Sequence, residues 1–148
     1  QDLANAIALT PRDATLHDAM AQLYGIQGRE LWTTGAEDSP EVEAYRQAML
    51  HQEASLRLRP THAMAWANMA LFQYAVNSTP EDLFKAWREA ARLGPREIEV
   101  EDTLIYLVMQ VWSFAPDDVK QWSEARRPGL SAKLDAIDSA ASPEDKPQ

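Results

Sequence analysis

Three runs of helix-forming sequence in this chain end alike. "AIALTP" (6–11), "SLRLRP" (55–60) and "AARLGP" (90–95) each place a small residue five positions before a proline and a leucine two positions before it. Proline disfavours helical backbone at the residue before it, so each run predicts a helix that stops there. The small residues, Ala6, Ser55 and Ala90, are expected to admit a close-packed neighbouring helix, and Leu9, Leu58 and Leu93 to fill the seam. The prolines Pro11, Pro60 and Pro95 stand 49 and 35 residues apart, which suggests a repeated helical unit. The other reading is a generic all-α bundle whose helices happen to end in proline. Periodicity alone does not separate the two.

The turns fit helix hairpins. In "NSTPED", Thr79 is placed to cap a helix, with Pro80 at its first position and acids in its first turn. "EDSPEVE" repeats this with Ser39 and Pro40, and "FAPDDV" around Pro116 reads as another helix start. Arg57, Arg59 and Arg92 sit near helix ends, where cations complement the dipole. The longer 49-residue spacing predicts one lengthened hairpin: "GIQGRELW" extends its first helix, "TTGAED" turns, and Pro40 to Arg59 forms a long second helix. Ile26, Leu31 and Trp32 are expected to face Val42, Tyr45 and Met49 along it, with Gly25 and Gly28 favouring a kink. The stretch 117–140 reads as a helix interrupted at Pro128–Gly129, then an amphipathic capping helix with Leu130, Leu134 and Ile137 on its apolar side. A single domain over 1–140 and a disordered polar tail over 141–148 follow.

Composition narrows the function. Of 148 residues, 45% are hydrophobic and 25% charged, and only five are glycine, as expected for a helical globular chain. The net charge of −9 argues against nucleic acid as a partner. With no cysteine, disulfides, thiol catalysis and Cys-ligated zinc are excluded. His17, His51 and His62 show no metal-ligand spacing, and a site from His51, Glu53 and His62 is only conceivable. The acids of "EIEVED" and "PDD" lie at predicted helix starts, where they suit the dipole better than a cation. Without GxSxG, a P-loop or GxGxxG, neither catalysis nor a cofactor is expected. Among five tryptophans, Trp66 and Trp87 read as core. Trp32, Trp112 and Trp122 are less constrained, and an exposed one would stack on a sugar or anchor a peptide.

The middle of the chain resembles the tetratricopeptide (TPR) family, whose unit is 34 residues long. Trp66, Met69 and Ala70 stand where that family has Trp, Leu and Gly. Trp87, Ala90 and Pro95 match its later aromatic, Ala and Pro, one residue late. Met20, Ala21 and Tyr24 supply the Leu, Gly and Tyr positions of an earlier repeat, and Leu104 matches in a later one. The resemblance spans about residues 4–115 and implies an all-α fold: a right-handed stack of antiparallel helix pairs with a capping helix.

The resemblance also implies a concave groove lined by the first helix of each pair. Its positions fall on Thr15, Asp18, Gln22 and Ile26, then on Met64, Ala67, Asn68, Leu71 and Tyr74, then on Glu99, Asp102, Tyr106 and Met109. Asp18, Glu99 and Asp102 would repel a peptide carboxylate. A neutral or basic helix or extended segment of a protein partner suits this face better. The order of "LANAIALTP", "AWANMALFQY" and "AARLGPREIEV" further resembles small TPR-containing proteins of bacterial exopolysaccharide biosynthesis and export. That likeness implies a membrane-anchored scaffold on the periplasmic side, its anchor preceding residue 1. A carbohydrate-binding module and self-association through the long hairpin are the alternatives.

Overall fold

The computed structural model describes residues 2–31 and 40–141, and over these the protein is all-α. Eight α-helices follow in chain order: α1 (Asp2–Leu9), α2 (Ala14–Glu30), α3 (Pro40–Leu58), α4 (Ala63–Ala75), α5 (Pro80–Leu93), α6 (Ile98–Gln110), α7 (Asp117–Arg126) and α8 (Leu130–Ala141). A short 3-10 turn, Trp112–Phe114, precedes α7. Contacts divide the chain into two compact units that meet within α6, after Leu104. In the first unit each helix packs on its neighbours in sequence, α1 on α2, α2 on α3, α3 on α4 and α4 on α5. In the second, α7 packs on α8.

The three proline endings build the same joint three times. Leu9, Leu58 and Leu93 are the last residues of α1, α3 and α5, and α2, α4 and α6 each begin three residues after the proline. The residue before each proline donates its backbone N–H to the carbonyl of the small residue: Thr10 to Ala6 (2.9 Å), Arg59 to Ser55 (2.8 Å) and Gly94 to Ala90 (2.9 Å). The N–H two residues after each proline closes the turn onto the residue before it: Asp13 to Thr10 (3.1 Å), His62 to Arg59 (3.2 Å) and Glu97 to Gly94 (3.2 Å). Proline itself has no N–H to satisfy. The small residues pack closely, with Ser55 and Ala90 fully buried and Ala6 half-buried. Two of the three leucines do not fill the seam: Leu9 is 84% exposed and Leu58 is also exposed, while Leu93 is half-buried. At the last residue of α1 and of α3 the side chain lies where the chain turns off, beyond the packed part of the pair.

Thr79 caps α5 as expected, accepting from the Asp82 N–H, and Pro116 is the N-cap of α7. The expected cap at Ser39 and the turn 33–38 lie outside the described residues. The long hairpin is present, α2 having 17 residues and α3 19 against 13 and 14 for α4 and α5. Its packing differs from expectation. Ile26 and Leu31 are exposed, and the contact falls to the two glycines. A Cβ at Gly25 would lie 2.8 Å from the Phe72 ring, and one at Gly28 2.9 Å from the Tyr45 ring. The glycines let these rings lie against the helix backbone, and α2 runs unbroken through both. Ala21, Ala48 and Phe72 form the core there, with Tyr24, Tyr45 and Met49 around it.

In the second unit, Gly129 takes φ +89°, a left-handed conformation open to glycine, and separates α7 from α8. The Glu124 carboxylate accepts from the N–H groups of Gly129 (2.8 Å) and Ser131 (2.9 Å). These bonds, Ser131's first, hold its pKa below the ordinary carboxylate range. Leu134 is buried, but Ile137 is 61% exposed, so the apolar side of α8 is shorter than its sequence pattern. Of the tail expected over 141–148, Ala141 is the last residue of α8 and residues 142–148 lie outside the described residues.

Candidate functional site

Because α2, α4 and α6 start at one offset from their prolines, the expected groove residues, four, seven or eight, eleven, and fourteen or fifteen after each proline, lie on comparable sides of each helix. Four of the expected groove residues, Thr15, Gln22, Glu99 and Asp102, are exposed polar side chains. Met64, Asn68 and Leu71 are half-buried, Ala67 is fully buried, and Tyr74 is exposed on α4. In the second unit, Tyr106 is 53% exposed on α6, and Met109 is exposed one turn on. In the first unit the exposed positions are thus mostly acidic or amide-bearing, with an open aromatic ring at Tyr74; in the second unit, taken by itself, Tyr106 and Met109 are open.

Asp18 faces inward from this surface. Its carboxylate accepts from Gln52 Nε2 (2.9 Å) and pairs with Arg59, and His62 Nδ1 lies 3.5 Å away. It therefore ties α2 to the C-terminal end of α3 and to the start of α4. The three residues weighed for a metal diverge. His51 turns to His17, Glu53 pairs with Arg57 (3.0 Å), and His62 sits by Asp18. Among the described residues no group of three or more His, Cys, Asp or Glu side chains is arranged to hold a metal ion.

His17 and His51 form a pair that the sequence spacing does not reveal. His17 Nε2 lies 2.9 Å from the Pro11 carbonyl. A carbonyl only accepts, so this nitrogen carries the proton and His17 Nδ1 is an acceptor. His51 Nδ1, 3.2 Å away, is then the donor, and its ring stacks on Tyr24. A parallel bond after the next proline joint runs from Trp66 Nε1 to the Pro60 carbonyl (2.8 Å), so His17 and Trp66, each six residues after its proline, do the same work. Burial, then the neighbouring His17, lowers the pKa of His51 from the ordinary histidine value of about 6.5. The folded state therefore prefers His51 neutral, and the unfolded chain takes up this proton first as pH falls. The contribution is complete above about pH 6.5 and is lost as pH drops below it. Urea midpoints measured from pH 8 to pH 5 should fall less in His51→Gln than in the wild type; equal slopes would remove His51 as the cause.

Of the less constrained tryptophans, Trp112 and Trp122 are covered in whole or in part. Trp112 is 3% exposed, donates its indole N–H to Asp135 (2.8 Å), and carries the Lys120 ammonium 4.8 Å above its ring. Trp122 is half-buried beneath the Arg126 guanidinium, 3.7 Å from the ring centre. Trp87 is buried and Trp66 half-buried. Trp32 lies outside the described residues. Trp112 thus offers no open indole face to a sugar, because its ring closes the core of its own unit.

No family model, curated protein or solved structure matches this chain. Its function is therefore argued from its own surface.

That surface has a feature the sequence reading missed. A cleft of about 770 Å³ lies beside α3, floored by Trp66 and Met69 of α4 and walled on the far side by Asp82 and Lys85 of α5. None of the expected groove residues lines it. Its near wall is the outward ridge of α3, including Leu50. A sequence signal existed: Leu50 is an apolar residue set among charges on the long helix. No helix of the described chain is long and apolar enough to cross a membrane.

Proposed function

We propose that this chain is a non-catalytic, TPR-like scaffold that binds a protein partner on the exposed face of its first-of-pair helices. The observation that carries the reading is the joint repeated at Pro11, Pro60 and Pro95. It starts α2, α4 and α6 at one offset from their prolines, so each of these helices presents residues of the same offset on the same side. The partner best suited is a neutral or basic helix or extended segment. Tyr74 and Leu71 offer apolar anchors, and the carboxylates of Glu99 and Asp102 favour positive charge. Aromatic anchors of this type carry most of the energy of an interface. The setting we propose, by resemblance in residues 65–95, is a bacterial exopolysaccharide biosynthesis or export assembly, with the repeats on the periplasmic side of the cytoplasmic membrane.

Photo-crosslinking in cells tests this directly, with probes placed singly at Tyr74 and Tyr106 and a control at the exposed Glu81. A discrete protein adduct from Tyr74 and not from Glu81 is expected. Combining Leu71→Ala and Tyr74→Ala should then reduce partner binding by about tenfold or more while leaving helix content by circular dichroism unchanged. Undiminished binding by that double variant would take α4 out of the interface. No adduct at either probe would remove the scaffold reading.

A further inference from the structure

We infer that the outward ridge of α3 is a surface for a second copy of this chain, which packs its own α3 there in the antiparallel direction about a two-fold axis through Leu50. The inference goes beyond the scaffold reading, since α3 contributes no residue to the proposed partner face.

Helix α3 has two opposite sides. Glu41, Ala44, Ala48, Gln52 and Ser55 form its buried stripe. Glu43, Arg46, Leu50, Glu53 and Arg57 form the opposite ridge, at successive spacings of three and four residues, which keeps them in one line. Leu50 at the centre is 58% exposed. Both acids and both arginines of the ridge are more than half exposed. The cleft beside the ridge supplies apolar depth from Met49, Leu56, Trp66 and Met69.

The charges are self-complementary only when reversed. Glu43 precedes Leu50 by seven residues and Arg57 follows it by seven; Arg46 precedes it by four and Glu53 follows it by three. A two-fold axis through Leu50 sets Glu43 against Arg57 of the partner subunit and Arg46 against Glu53 of the partner subunit, each pair occurring twice. A parallel pairing in register would oppose like charges. An isologous interface requires this kind of self-match, and another protein would have to carry the same reversed pattern to match it as well. Across the whole cleft the charges balance, Glu43, Glu53 and Asp82 against Arg46, Arg57 and Lys85, so two copies meet here without the repulsion expected from a net charge of −9. Within one copy the arginines already touch Glu43 (3.9 Å) and Glu53 (3.0 Å). A guanidinium has five N–H donors, so these contacts do not prevent pairing across the axis.

Exposed ion pairs contribute little affinity and mainly set direction and register; Leu50 and the cleft supply the apolar part. The seam spans fourteen residue steps, about 21 Å of helix, at the small end for a specific interface. A weak, concentration-dependent dimer is therefore expected.

Sedimentation of the full chain over a series reaching high-micromolar concentration tests the inference. The wild type should pass from monomer to dimer, and Leu50→Glu should stay monomeric with unchanged circular dichroism. Arg57→Glu and Glu43→Arg should each raise the dimer Kd by about tenfold or more, since each converts two attractions into repulsions. The double variant should return it near the wild-type value. Because the chain has no cysteine, Leu50→Cys gives a second readout: it should oxidise to a covalent dimer, whereas Gln121→Cys should not. A wild type monomeric throughout, a dimer that survives Leu50→Glu, or a double variant no better than the singles would each overturn the inference. So would a Leu50→Cys that crosslinks only to some other protein.

Discussion

Replacing Trp87 by alanine is expected to destabilise the first unit by about 3–5 kcal/mol, the usual range for deleting a fully buried aromatic side chain. The ring is among the largest wholly buried groups in the chain, and its indole N–H reaches the Leu104 carbonyl at 3.1 Å. That bond ties α5 to the first half of α6, so the substitution leaves both a cavity and a broken link between helices. Trp87→Phe keeps most of the apolar volume and loses the donor, and should cost clearly less. Urea unfolding followed by circular dichroism separates the two contributions. A Trp87→Ala midpoint close to the wild type would mean that the site collapses around the gap. Equal losses in both variants would assign the whole effect to the hydrogen bond.

A second large effect is expected at the small residue of the joint. Ala90 is fully buried and its carbonyl receives the Gly94 N–H. Ala90→Leu adds three carbons where no space exists and should cost about 1–3 kcal/mol by overpacking. The neighbouring turn is equally tight, since a Cβ on Gly94 would lie 2.8 Å from that of Ala63. The equivalent Ala6 is only half-buried, at the outer end of the helix series, so Ala6→Leu should cost well under half as much. Thermal unfolding of the two variants side by side checks the register. Equal losses would mean that the two positions are not graded by burial, and a larger loss at Ala6 would break the equivalence of the joints.

These expectations show which readings travelled from sequence to structure. The ends of α1, α3 and α5 and the starts of α5 and α7 were legible because their signals are local: a proline without an N–H, a capping threonine, acids in a first turn. The small residue five before each proline was also legible, because its carbonyl closes the joint through the backbone. Leu9 and Leu58 were misjudged because a helix-end position resembles a core position in spacing while its side chain projects past the contact. Gly25 and Gly28 were read for propensity alone, yet their lack of a side chain is what admits Phe72 and Tyr45.

The candidate sites divide the same way. Exposure at Tyr74 and Tyr106 followed from helical offset. The inward turn of Asp18, the His17–His51 pair and the Trp112–Asp135 bond join residues 23 or more positions apart in sequence, which no local pattern brings together.

The chain's sequence by itself determined the all-α class, most helix ends and the lengthened hairpin, since each follows from backbone chemistry within a few residues. Only the tertiary structure decided which apolar groups are buried, which histidines meet and where the cleft opens, because burial depends on what a neighbouring helix covers.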